Sequence, residues 1–134
     1  MGSYITLTTE GQGLYEFTDQ VAGQVRDRGI RNGLCTLFIQ HTSASLTVQE
    51  NADPSAQHDL ENWLNRLVPE GDPLYTHTFE GRDDMPAHIK AALTATSLSI
   101  PVIDGCLALG TWQGVFCWEH RHGRQQRSIA LHIG

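Results

Sequence analysis

Thr111-Trp112-Gln113-Gly114-Val115-Phe116-Cys117-Trp118-Glu119-His120-Arg121 is the run on which the fold turns. Successive side chains of an extended strand point to opposite faces. Trp112, Phe116, Trp118 and His120 therefore share one face, and Gln113, Val115, Cys117, Glu119 and Arg121 share the other. Downstream, His122-Gly123-Arg124-Gln125-Gln126 reads as a polar hairpin connection, and Arg127 to Ile133 as a returning strand with Ile129, Leu131 and Ile133 on one face. Upstream, Ile100-Pro101-Val102-Ile103 is a strand whose proline belongs near an end or edge, because proline cannot donate to a ladder. Leu34-Cys35-Thr36-Leu37-Phe38-Ile39 is apolar on both faces, the mark of a covered central strand, and follows the turn Arg31-Asn32-Gly33. Residues 4–9 and Leu46-Thr47-Val48 are further strands, and Gln40 to Ser45 reads as a loop or strand end.

Helix signals lie between these strands. Thr18-Asp19 starts a helix with Val21, Ala22 and Val25 on its apolar face that ends near Gly29. Asp53-Pro54 starts a second, striped by Leu60, Trp63, Leu64 and Leu67 and stopped by Pro69 and Gly71. In Glu80-Gly81-Arg82-Asp83-Asp84-Met85-Pro86-Ala87-His88-Ile89-Lys90, Asp84 is positioned to cap a third helix begun by Pro86, with Ile89, Ala92, Leu93 and Thr96 facing the core. Strands thus bracket three helices without a strict βαβα rhythm. The expectation is a single α+β domain over residues 1–134, with a mostly antiparallel sheet covered by helices.

Composition narrows the function. A chain of 134 residues, 40% hydrophobic, is large enough to bury a real core. Nine Lys+Arg against fifteen Asp+Glu, a net charge of -6, give no footprint for nucleic acid. No apolar run approaches the ~20 residues of a membrane span, and the start carries no signal-peptide pattern, so a soluble, cytoplasmic protein is expected. Cys35, Cys106 and Cys117 match no zinc-knuckle spacing and sit in apolar runs, where they read as reduced packing residues.

The segment from Glu80 to Lys90 places two carboxylates and an imidazole close together, with His88 at the margin of the helix stripe, where it can face a cleft. The bland alternative is a capped helix bearing a solvated histidine. His41, His77, His88 and His120 lie at strand ends or a helix start among small polar or acidic residues, whereas His58, His122 and His132 read as surface, turn and strand residues. Neutral imidazole with a nearby carboxylate is a common divalent-metal donor set, and Asp53, Asp84 and Glu119 are the candidate carboxylates. An anion could instead be met by the hydroxyls of Thr42 and Ser43, the guanidinium groups of Arg121 and Arg127, or the helix starts at Pro54 and Pro86. Glu119 and Arg121 also read as a plain surface ion pair. Ser43 or Ser45 acting as a nucleophile beside His41 is disfavoured, since neighbours on an extended chain point apart. No nucleophile elbow, Walker A loop or dinucleotide fingerprint is present.

Taken in order, His41-Thr42-Ser43-Ala44, Gln49-Glu50-Asn51-Ala52-Asp53-Pro54, Glu80 to Lys90, Leu109-Gly110-Thr111-Trp112-Gln113-Gly114 and Glu119-His120-Arg121 resemble the YjbQ-like family of small uncharacterised proteins. Ser97, Ile100, Val102 and Gly105 extend the likeness, which runs nearly end to end. Cys106 departs from it, standing where relatives carry polar or charged residues. The resemblance implies an α+β sandwich assembling as a homotrimer, and a thiamine-phosphate synthase activity. That reaction joins hydroxymethylpyrimidine diphosphate to a thiazole phosphate and releases pyrophosphate. It also carries site roles onto His41, Asn51, Asp53, His77, Asp84, His88, Gln113, Glu119, His120 and Arg121. On this reading His41, His88, Asp84, Glu119 and Arg121 are catalytic. Thr42, Ser43, Asn51, Gln113, Arg121 and Arg127 meet a small phosphorylated molecule or anion. His41, His77, His88, His120 and Asp53 hold a divalent ion, which is zinc, nickel, iron, manganese or magnesium. The histidines favour a transition metal, which fits a magnesium-diphosphate transferase poorly. Hydrolysis at the same site and a non-catalytic binding trimer are the alternatives.

Overall fold

The structure, a computed structural model, describes residues 2–134. In chain order the elements are β1 (Gly2–Glu10), β2 (Gly13–Glu16), α1 (Thr18–Arg28), β3 (Gly33–Ile39), β4 (Ala44–Glu50) and α2 (Pro54–Leu67). They continue with α3 (Asp84–Leu93), β5 (Ser97–Ile103), β6 (Cys106–Leu107), β7 (Gln113–Glu119) and β8 (Arg124–Ile133). This is the α+β domain with antiparallel sheets and three helices that the sequence pattern implies. The strands divide into a five-stranded sheet, β1-β8-β3-β5-β6, and a three-stranded sheet, β2-β7-β4. The short strands β2 and β6 carry no clear alternation and escape sequence reading.

The split between sheets corrects one expectation. The polar segment after β7 is not a hairpin: β7 pairs with β2 and β4, while β8 pairs with β1 and β3. The chain crosses from one sheet to the other there. One core is shared by both sheets and α1: Val21 and Val25 meet Ile5, Leu37, Ile39, Leu46, Val115 and Ile129. A second cluster of Leu64, Val68 and Trp118, with Leu14, Leu60 and Ile89 against it, joins α2 and α3 to the three-stranded sheet. β7 is therefore covered on both faces, not half solvated, and Glu119 and His120 are carried into the interior with it.

Two helix faces also differ from their sequence pattern. In α3 the buried residues are Asp84, Pro86, Ala87, Lys90 and Ala91, whereas Leu93 is exposed. The helix is rotated because Lys90 turns inward to donate to Asn65, so its apolar stripe does not set its orientation. In α2 only Leu64 is buried, and Trp63 and Leu67 stay exposed. Asp53 caps α2 by accepting from the Ser55 amide at 2.9 Å, a contact generally worth ~1 kcal/mol. Of the thiols, Cys35 and Cys117 are buried as expected, but Cys106 is exposed on its short edge strand. The far face of the five-stranded sheet is uncovered, and Tyr4, Leu34, Phe38 and Ile103 lie exposed there. Among the described residues no helix is long and apolar enough to cross a membrane.

Candidate functional site

Where α3 begins, it faces the end of β7. Gly81 takes φ 104°, a conformation that L side chains rarely adopt, and its carbonyl accepts from the Asp84 amide at 3.3 Å. That turn releases the carboxylates of Asp83 and Asp84 from capping: neither side chain bonds a free helix amide. The expected cap at Asp84 is absent, and three other groups surround its carboxylate.

The first two are imidazoles. His77 Nε2 lies 2.9 Å and His88 Nε2 3.1 Å from the same Asp84 oxygen, Oδ2. His88 sits one helical turn after Asp84, so i, i+4 geometry presents both groups on one side. The other nitrogen of His88, Nδ1, lies 3.0 Å from the Thr42 carbonyl. A carbonyl only accepts, so Nδ1 carries the proton in that bond. A neutral His88 then aims the lone pair of Nε2 at an anionic oxygen. That arrangement is repulsive unless a second proton or a cation lies between them. Among the described residues this is the one place where three His, Cys, Asp or Glu donors converge, their ligand atoms all within 4.8 Å of one another. The two nitrogen–oxygen distances approach the ~3.3 Å edge that ligands ~2.0–2.1 Å from a tetrahedral ion would span. Asp84 is 3% exposed, whereas His88 and His77 are 30% and 49% exposed, so the cluster is rooted in protein and open on the His77 side.

Arg121 is the third claimant. Its Nη1 donates to Asp84 Oδ1 at 2.8 Å, its Nε to Asp83 Oδ2 at 2.9 Å, and its Nη2 to the Glu80 carbonyl at 2.8 Å. Asp83 Oδ2 also accepts from the His122 amide at 2.8 Å. Burial raises the Asp83 pKa, but the Arg121 and His122 hydrogen bonds outweigh it and hold the carboxyl below its usual range. With both edges of its fork committed, Arg121 orients Asp84 and is not free to clamp an anion, which corrects its expected role.

Glu119 and Arg127 are likewise removed from the site. Glu119 is wholly buried and accepts from Thr9 Oγ1 at 2.6 Å, Arg127 Nε at 2.7 Å, Arg127 Nη2 at 2.5 Å and the Arg121 amide at 3.0 Å. Arg127 Nη2 also reaches Ser43 Oγ at 2.9 Å. Burial raises the Glu119 pKa, and these donors more than offset it, leaving the carboxyl below its ordinary value. The network ties β1 and β8 of one sheet to β7 of the other and to Ser43, just before β4. Neither a surface Glu119–Arg121 pair nor an anion site at Ser43 and Arg127 is formed.

Two further histidines are engaged elsewhere. His41 Nε2 accepts from the Ser128 amide at 2.8 Å. Burial and Arg127 lower its pKa, against the opposing pull of Glu119. His120 is 1% exposed, with Nε2 2.9 Å from Ser45 Oγ and Nδ1 without a partner among the described residues. A serine and a histidine do meet, but as Ser45 and His120 inside the core, where no substrate reaches. Asn51, Asp53 and Gln113 lie towards the opposite end of β7, which Gln113 begins: Asn51 donates to Glu16, Asp53 caps α2, and Gln113 accepts from the Gly110 amide. Six residue steps of strand separate Gln113 from Glu119, ~20 Å. Of the expected ligands, His77 and His88 converge, with Asp84 from the catalytic set; His41, His120 and Asp53 do not join them.

The match to known proteins is as extensive as this architecture. Residues 3–134 fit the family described as UPF0047 protein YjbQ-like. The chain belongs to that family. It is 50% identical over 129 residues to UPF0047 protein sll1880 of Synechocystis, covering 96% of this chain and 88% of that protein. It is 46% identical over 128 residues to UPF0047 protein YjbQ of Escherichia coli O157:H7, covering 94% and 92%. Among solved structures it resembles the conserved hypothetical protein TT1486 of Thermus thermophilus, with TM-score 0.88, 33% identity and coverage of 98% and 99%. The hypothetical protein APE1520 of Aeropyrum pernix K1 superposes with TM-score 0.90 at 27% identity, covering 100% and 98%. The family is uncharacterised.

Two parts of the site escape sequence reading. Asp83 is one of the two adjacent carboxylates but not a named candidate, yet it anchors Arg121. Lys90, to which the sequence pattern gives no role, is 1% exposed, and burial lowers its pKa against the pull of Glu61, Glu70 and Asp83. The signal was the acidic content of the elements around α3, which no local pattern assigns to it.

Proposed function

We propose that this chain is a metal-dependent enzyme acting on a small molecule, with the ion held by His77, Asp84 and His88. The observation that carries this reading is the pair of imidazole nitrogens facing one Asp84 oxygen while the Thr42 carbonyl accepts from His88 Nδ1. Two imidazoles and a carboxylate suit zinc, nickel, iron or manganese better than magnesium, which prefers oxygen donors and keeps its waters. When bound, the ion would supply Lewis acidity to a substrate oxygen or to water. The protein's part is to fix the donors: Thr42 sets the His88 tautomer, and Arg121 holds Asp84 by its second oxygen. His77, half exposed, leaves that flank of the cluster open to substrate.

Hydrolysis is the reaction these groups support best. The thiamine-phosphate-forming transfer implied by the family resemblance requires neutralisation of a departing pyrophosphate. Arg121 and Arg127 are both committed to carboxylates, so neither of these two expected anion-binding residues supplies it. A homotrimer is also proposed, supported by the uncovered face bearing Tyr4, Leu34, Phe38 and Ile103. A cytoplasmic setting accords with the three free thiols.

Titration of EDTA-treated, untagged protein with Zn²⁺ tests the site. One ion per chain is expected, with affinity at least ~10-fold weaker in His88→Ala and ~10–100-fold weaker in Arg121→Met, which removes only a supporting group. Unchanged affinity in His88→Ala refutes the assignment. Turnover of a phosphoester panel against the two thiamine precursors then separates hydrolysis from transfer, and no turnover on any of them favours a binding role.

A further inference from the structure

We propose that the cleft beside His77 is the substrate pocket and that it selects a small molecule with an apolar body and an anionic group, which Arg82 holds. The placement of the reacting end rests on the ion-binding reading; the anionic end does not. The cleft encloses about 260 Å³ between the loop after α2 and the start of α3. Small-molecule pockets run from ~300 to 1,000 Å³, so this one takes a single ring or a short chain. Pro73, Tyr75 and Met85 line it, with His77 and Arg82 among its polar groups. Tyr75 donates its hydroxyl to the Pro69 carbonyl at 3.0 Å, which fixes the ring and leaves its apolar surface to the cleft.

Arg82 has no hydrogen-bond or ion-pair partner among the described residues. Its neighbour Asp83 is already taken by Arg121 and the His122 amide. The one lining carboxylate, Asp72, accepts from the Leu74 amide at 2.9 Å. The guanidinium instead lies against Gly71, which has φ 76°, and a side chain on Gly71 would collide with it. A planar fork held beside a cavity with its donors unspent matches a phosphate or carboxylate in bidentate fashion. His77 connects this cleft to the Asp84 and His88 donors, so a molecule anchored at Arg82 presents its other end to the cluster.

Phenyl phosphate is the probe, with benzyl alcohol as the same ring lacking the anion. In EDTA-treated protein, phenyl phosphate should bind the wild type and bind Arg82→Ala at least ~10-fold more weakly, with Arg82→Lys between them. Benzyl alcohol should not respond to the substitution, and the Zn²⁺ affinity of Arg82→Ala should equal that of the wild type. If phenyl phosphate binds Arg82→Ala as tightly as the wild type, or binds neither, the pocket assignment is overturned. A lowered Zn²⁺ affinity in Arg82→Ala also overturns it, because Arg82 would then be supporting the cluster. Failure of the ion-binding reading shows only in the Zn²⁺ titration of wild type and His88→Ala, so the two failures are distinguishable.

Discussion

Lowering the pH from 7 to 5 should destabilise this protein through His120, and His120→Gln should abolish that part of the loss. The ring is 1% exposed, and its Nδ1 has no partner among the described residues. Burial, reinforced by the positive charges of Lys90 and Arg127 and only partly opposed by Glu119, lowers the His120 pKa from 6.5 to about 3. Between those values an unfolded chain takes up a proton that the folded chain refuses. The stability contributed by a neutral His120 is therefore complete above 6.5 and declines as the pH falls towards 3. Integrating the two binding curves gives a loss of ~2 kcal/mol between pH 7 and pH 5. Urea denaturation of wild type and variant at both pH values reads it. Glutamine keeps an amide for Ser45 Oγ, and any packing loss it causes appears at both pH values and cancels in the comparison. If the variant loses as much stability as the wild type over this interval, the account of His120 is wrong.

Arg127→Met should destabilise by ~3–5 kcal/mol in the same assay, because Glu119 is left buried with only the Thr9 hydroxyl and the Arg121 amide. The double variant Glu119→Leu/Arg127→Met should recover much of that loss; a double variant no more stable than the single one would show that packing, not the stranded charge, sets the cost. Light scattering at micromolar concentration should give the mass of three 14.8 kDa chains, reduced by Phe38→Asp on the uncovered sheet face, and a wild-type monomer refutes the trimer.

Much of the fold is legible in the sequence because its causes are local. Alternation in 111–121 marks β7, Asp53-Pro54 marks the start of α2, and Ile129, Leu131 and Ile133 mark the inner face of β8. Strand partners are not local. The polar stretch after β7 reads as a hairpin because nothing within it reveals that β8 pairs with β1, at the far end of the chain. The candidate site divides in the same way. His88 next to two aspartates is visible, but its tautomer is set by Thr42, 46 residues away, and Asp84 is oriented by Arg121, 37 residues away. Several carboxylates and two arginines were available to pair, and adjacency suggested Glu119 with Arg121. Geometry decides otherwise: Arg127, continuing the inward row of β8, meets Glu119 across the two sheets, which leaves Arg121, just past the end of β7, to turn towards α3. Residue type alone does not separate these outcomes, since both pairs join Arg to an acid. Exposure around them does: Glu119 and Arg127 are sealed within protein, where their charges hold the sheets together, whereas Asp84 is bordered by two partly exposed imidazoles. A ligand site needs an open side, and among the described residues only that acid cluster has it alongside convergent donors.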